Sequence, residues 1–192
     1  MNGDYIDTNT WSAILPEISL VVLALSLLLI DMFGGKTGKD VVGKVAVVGQ
    51  LVLLGLGLTL LSDNLGFLNQ ETFSGMLYHS DFGQVMRLFF LTSSILTAFL
   101  GSIFLRKHGL PGTEFYAILL LVTAAIMLLA QSNHFVMLFV ALETVTIGFY
   151  VLVSYNRHRS NGLEAGLKYL IMGGFSIAIL LMGIVLGPHG LA

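Results

Sequence analysis

Two stretches of this chain contain no Asp, Glu, Lys or Arg: Phe115 to Leu142 and Tyr169 to Ala192. Apolar runs of about eighteen residues or more are long enough to cross a hydrocarbon core about 30 Å thick. In such a core every backbone N–H and C=O must be satisfied internally, which leaves a helix or a closed barrel. Barrel strands alternate lipid-facing and lumen-facing residues over about ten positions. Segments such as ISLVVLALSLLLI and AILLLVTAAIMLLA do not alternate. The sequence therefore reads as an all-α polytopic membrane protein. Its composition agrees: 56% of residues are apolar and 10% charged, whereas a soluble domain is roughly a quarter charged.

The hydropathy predicts six transmembrane helices, near 12–33, 40–61, 84–105, 114–131, 134–155 and 164–187, forming one membrane domain over 1–192. Gly34-Gly35 and Pro111-Gly112 are expected to mark helix ends. Residues 62–83 form a longer polar connection with room for a turn of interfacial helix. Between the fourth and fifth helices only Gln131 to Asn133 remain, so those two helices are expected to be adjacent and antiparallel.

Basic residues fall on alternate links. Lys36, Lys39 and Lys44 flank the first, Arg106 and Lys107 lie in the third, and Arg157 and Arg159 in the fifth. The other connections and the N-terminal tail carry Asp4, Asp7, Asp63, Glu71 and Asp81 instead. By the positive-inside rule the three basic links face the cytoplasm and both termini lie on the other side. No basic residue precedes the first apolar run, so its start is not expected to be a secretory signal.

Several functions fall away on composition. With no Cys in the chain, thiolate-ligated clusters, Cys-based zinc sites and catalytic thiols are excluded. A net charge of −2 without a basic cluster argues against nucleic acid as a partner. His79, His108, His158 and His189 fall in links or at the end, and His134 opens the fifth helix, so facing haem ligands are not expected. No metal site, catalytic residue or bound cofactor is read from the chain.

Two charges fall inside the predicted helices where function is expected. Glu143 sits near the middle of the fifth, where an acidic residue costs roughly 2.5–3.5 kcal/mol on insertion scales. Such intramembrane carboxylates are functional candidates as proton or ion relays. The bland alternative is a neutral carboxyl bonded to Thr144 or Thr146, since desolvation raises a carboxyl pKa. Lys168 lies about one turn inside the sixth helix. Its plain reading is a snorkelling lysine paired with Glu164, four residues upstream. Gly173, Gly174, Ser176, Ala178 and Gly183 make the same helix small on one stretch, which suits close packing and a lysine turned into protein. Arg87, near the outer end of the third helix, reads as an interface anchor or structural ion pair.

The stretch LPEISLVVLALSLLLIDMF resembles the opening of subunit N of the proton-pumping NADH:quinone oxidoreductase, respiratory complex I. Residues 134–183, HFVMLFVALETVTIGFYVLVSYNRHRSNGLEAGLKYLIMGGFSIAILLMG, are similar to that subunit throughout, and the wording PEI, LET and EAGLKY is most like subunit N. The resemblance implies that Glu143 and Lys168 belong to a chain of buried charges along the membrane arm that couples quinone reduction to proton translocation. It implies a multi-pass subunit of the cell inner membrane without a redox centre, with NADH, FMN, iron–sulfur clusters and quinone held by partner subunits. Such subunits have about fourteen helices built around inverted repeats. The resemblance therefore covers the chain but only part of the family pattern, and a continued reading frame or a second polypeptide is expected to supply the rest. Other membrane-arm subunits are the expected partners. The rival readings are a structural spacer of the arm and a subunit of a multisubunit cation/proton antiporter.

Overall fold

A computed structural model of the chain describes residues 14–62, 70–72, 75–156 and 160–187, with side chains described over 14–33, 41–59, 75–156 and 162–187. Asp4, Asp7, Asp63, Arg157, His158, Arg159 and His189 lie outside the described residues, as do the side chains of Lys36, Lys39 and Glu71. The elements are α1 (Leu15–Ser62), β1 (Gln70–Thr72), β2 (Leu77–His79), α2 (Asp81–His108), α3 (Thr113–Leu129), α4 (Phe135–Val153) and α5 (Ser160–Leu186). Five stretches are long and apolar enough to span a membrane: Leu15–Phe33, Val41–Thr59, Asp81–His108, Phe135–Val153 and Gly162–Leu186. With 17 residues, α3 is apolar but shorter, at the lower limit for crossing. The protein is all-α in class and multi-pass.

A single helical element, α1, covers Leu15–Ser62, where two helices with an end at Gly34-Gly35 were expected. The helix nevertheless doubles back. A Cβ built on Gly49 would lie 2.6 Å from Leu23 Cδ2, whereas 26 residues of straight helix span about 39 Å. The reversal falls between its two limbs, Leu15–Phe33 and Val41–Thr59. Sharp helix bends fall at glycine pairs, and Gly34-Gly35, expected as a helix end, stand within that reversal.

In the connection before α2 the described residues form an antiparallel hairpin pairing Gln70 with His79 and Thr72 with Leu77; residues 63–69, where there was room for a helical turn, lie outside the described residues. Strand β2 is held against the α3–α4 link. Tyr78 N donates to the Gln131 carbonyl at 2.9 Å, and Asn133 N donates to Met76 O at 2.9 Å. The backbone groups of the short link are thereby satisfied by strand pairing, which no apolar periodicity signals.

Helix ends follow local chemistry. Ser80 caps α2, its Oγ accepting from Gly83 N at 3.0 Å. Gly109, at φ 63°, closes the same helix in the left-handed conformation, which a residue without a Cβ adopts freely. His134 caps α4, its Nδ1 accepting from Val136 N.

Helix α3 is buried nearly all round, at Thr113, Tyr116, Ala117, Leu119, Leu120, Val122 to Ala125 and Met127. Both limbs of α1 present it with stripes at helical spacing, Leu20, Ala24 and Leu27 from one and Val42 and Ala46 from the other. Leu91, Ala98 and Leu105 of α2 close the cluster. Beyond this bundle α4 packs on α3, where Gly148 admits the Val122 side chain. The last helix, α5, touches α4 along one stripe and is otherwise open.

Candidate functional site

Glu143 lies eight residues into α4 from Phe135 and ten from Val153, close to mid-depth. Its side chain is half-buried, and Oε2 is buried without a hydrogen-bond partner among the described residues. The two threonines expected as local partners do not serve it. Thr144 Oγ1 donates to the Val140 carbonyl at 2.9 Å and Thr146 Oγ1 to the Leu142 carbonyl at 2.5 Å. This back-bonding satisfies both hydroxyls within the helix and leaves the carboxyl to groups outside α4.

Lys168 sits elsewhere. Its Nζ donates to Glu164 Oε1 at 2.6 Å, with both side chains exposed, 73% and 63%. The α5 residues turned toward α4 include Gly166, Gly173, Ile177, Leu180 and Ile184, and Lys168 lies off that stripe. The register of the two helices is set by close approaches. Ser154 packs at Gly166, and the Tyr150 hydroxyl fills the space where a side chain on Gly173 would sit. Lys168 is two residues beyond Gly166, while Glu143 is eleven before Ser154. At 1.5 Å per residue these two contacts put the Glu143 and Lys168 backbone positions about 13–18 Å apart along the axis, outside the roughly 4–6 Å over which one charge directly commands another. The geometry does not bring Glu143 and Lys168 together within this chain; it brings Lys168 to Glu164.

Two further polar clusters are buried. At the hairpin end of the bundle Arg87 Nε donates to Glu17 Oε1 at 2.7 Å, both side chains almost wholly buried. Gln131 Nε2 donates to the same oxygen at 2.9 Å. His79 is buried in β2 near Arg87 and has its pKa lowered to about 4. Burial is the main cause and the nearby guanidinium the second. Arg87 is thus the structural ion pair that its position allowed. Its partner was hidden, because Glu17 stands at the mouth of an apolar run where an acid reads as a helix-start residue.

The second cluster lies at mid-depth between the second limb of α1, α2 and α3. Gln50 Nε2 donates to Ser94 Oγ at 2.6 Å. Thr123 Oγ1 lies 2.8 Å from Ser94 Oγ and 2.7 Å from the Leu119 carbonyl, so its one proton serves one acceptor at a time. Polar side chains bonding across helices in this way hold membrane bundles together. Gln50, an amide in the middle of an apolar run, was the available signal. Among the described residues no group of three or more His, Asp or Glu is placed to hold a metal.

Residues 132–187 match the family model described as NADH:quinone oxidoreductase/Mrp antiporter, TM. The chain is 51% identical to NADH-quinone oxidoreductase subunit N 1 of Opitutus terrae over 93% of its own length and 35% of that protein's. It is 34% identical to NADH-quinone oxidoreductase subunit N 2 of Roseiflexus castenholzii, over 83% of this chain and 31% of that one. With NAD(P)H-quinone oxidoreductase subunit 2 of Synechocystis it shares 33% identity over 90% of this chain and 32% of the other. Among solved structures, a chain of respiratory complex I from Thermus thermophilus with bound aureothin has the same fold, with TM-score 0.67 and 24% identity, over 88% of this chain and 35% of that one. The chain spans about one third of the length of the curated relatives it matches. This sequence belongs to the NADH-quinone oxidoreductase subunit N family and corresponds to about a third of such a subunit.

Proposed function

We propose that the chain is part of a proton-translocating membrane-arm subunit of NADH:quinone oxidoreductase, with Glu143 as its proton-holding carboxyl. The observation that carries this reading is the state of that side chain: mid-depth, half-buried, one oxygen shielded and without a partner among the described residues. Intramembrane carboxylates so placed, with an oxygen left for a partner from outside the helix, serve as stations in proton relays. Lys168 and Glu164 are the second charge site, exposed on the face of α5 that α4 does not cover. In the assembled arm that face meets protein, which gives Lys168 and Glu164 partners from adjoining segments. With about 13–18 Å between the two backbone positions, transfer between them runs through intervening water or through groups of an adjoining segment, and not by direct contact.

The whole domain 1–192 then lies in the cell inner membrane with its basic links cytoplasmic and both termini outside. The other subunits of the arm are its partners, and the redox cofactors reside in them. The test is Glu143→Gln in the intact complex. Proton pumping per NADH oxidised is expected to fall well below the wild-type ratio, with assembly retained. Full pumping by a fully incorporated variant removes Glu143 from the mechanism. Reduced assembly with unchanged pumping per complex favours the spacer reading. Sodium- or potassium-dependent exchange in vesicles without NADH dehydrogenase partners favours the antiporter reading.

A further inference from the structure

At the end of the bundle opposite the hairpin, a cleft of about 590 Å³ opens between the second limb of α1, α2 and the start of α3. Lys44 and Arg106 line it, with Ser102 and Tyr116, and its walls continue along Val47, Val48 and Phe99. A second cleft of about 450 Å³ adjoins it and shares Phe99, Ser102 and Arg106, adding Lys107. Among the described residues that line the two clefts none is acidic. No ion pair among the described residues engages Lys44, Arg106 or Lys107.

The depths of these groups are graded. Lys44 is three residues from the start of its limb at Val41, and Arg106 two from the end of α2 at His108. Both therefore lie at the level of the membrane interface. Val47, Val48 and Phe99 lie one to two turns further in, within the hydrocarbon. A cationic rim over an apolar wall, open from the side, matches a lipid: a phosphate at the rim and an acyl chain on the wall. Basic pockets between helices at this level bind anionic head groups, and the planar guanidinium of Arg106 suits a phosphate geometrically. A free phosphate would use the rim but leave the wall empty.

We propose that this cleft binds an anionic phospholipid, its phosphate held by Lys44 and Arg106 and one acyl chain lying on Val47, Val48 and Phe99. The proposal rests on the multi-pass fold alone and stands whether or not Glu143 carries protons.

The test uses the full chain in phosphatidylcholine nanodiscs with spin-labelled phosphatidylglycerol or spin-labelled phosphatidylcholine as probe. Wild-type protein is expected to immobilise the anionic lipid about tenfold in preference to the neutral one at low salt. Lys44→Gln/Arg106→Gln brings that preference close to one, with helicity by circular dichroism unchanged, and Arg106→Lys retains most of it. An equal preference in the double variant, or none in the wild type, overturns the proposal. Displacement of the labelled lipid by inorganic phosphate at matching concentration identifies free phosphate as the ligand and also overturns it. Loss of the preference when the chain sits in the intact complex means that a protein segment fills the cleft, with the same consequence.

Discussion

Arg87 Nε donates to Glu17 Oε1 across 2.7 Å, although 70 residues separate the two in sequence. The pair ties the start of α1 to α2, and Gln131 bonds the same carboxylate from the end of α3. Three helix ends converge on one acid.

Breaking one side of this pair should be costly. Removing a single partner of a buried ion pair leaves an uncompensated charge and costs about 3–5 kcal/mol. Arg87→Gln and Glu17→Gln are each expected to lower the thermal midpoint strongly, followed by circular dichroism in detergent. The double variant Glu17→Gln/Arg87→Gln should recover a substantial part of the loss, because no isolated charge remains. A double variant no better than the worse single one would show that the pair is not acting as a unit.

The mid-depth cluster should be weaker. Ser94→Ala removes the acceptor for Gln50 and for Thr123. Interhelical hydrogen bonds in membranes average about 0.6 kcal/mol, and up to about 1.7 in favourable cases. A loss in that range, measured by unfolding in mixed micelles, is expected, with Thr123 keeping its bond to the Leu119 carbonyl. A loss as large as that of Arg87→Gln would contradict this ranking.

His79 predicts a pH dependence of defined sign. Its folded pKa is lowered to about 4 from 6.5, so the folded chain binds fewer protons than the unfolded chain between those values. Stability from this group is fully present above about pH 6.5 and is lost as pH falls toward 4. The thermal midpoint of the wild type should drop more between pH 7 and pH 4.5 than that of His79→Gln. Parallel profiles for the two proteins would remove His79 as the cause.

Lys168 and Glu164 should contribute little to the stability of this chain by itself. The pair is exposed on one helix at i,i+4 spacing, where such contacts supply about 0.3–0.5 kcal/mol. Lys168→Gln is expected to shift the melting of the purified chain by that much at most, yet to reduce pumping in the intact complex. A large loss of stability in the chain alone would give Lys168 a structural role within it.

Much of the architecture was legible along the chain because lipid leaves a polypeptide few choices. An uncharged run from Phe115 to Leu142 has to be helical where it crosses a membrane, and Gln131 to Asn133 is too short to do anything but join neighbours. The candidate site was legible for a related reason: Glu143 stands out because a carboxylate in an apolar run is expensive. The hairpin Gln70–His79 left no such mark, since its strands are three residues each and are held by backbone bonds to the next link.

What periodicity could not supply was direction. A membrane helix is apolar toward lipid and apolar toward protein, so its pattern carries no phase that tells the two apart. Packing alone decided that Lys168 turns away from α4 and toward Glu164, and that Glu17 meets Arg87. Composition and charge settled that the chain lives in a bilayer as a set of helices. Close approaches such as Tyr150 against Gly173 and Leu23 against Gly49 settled which side chains meet, because contact distances are a property of packed surfaces and not of any one segment.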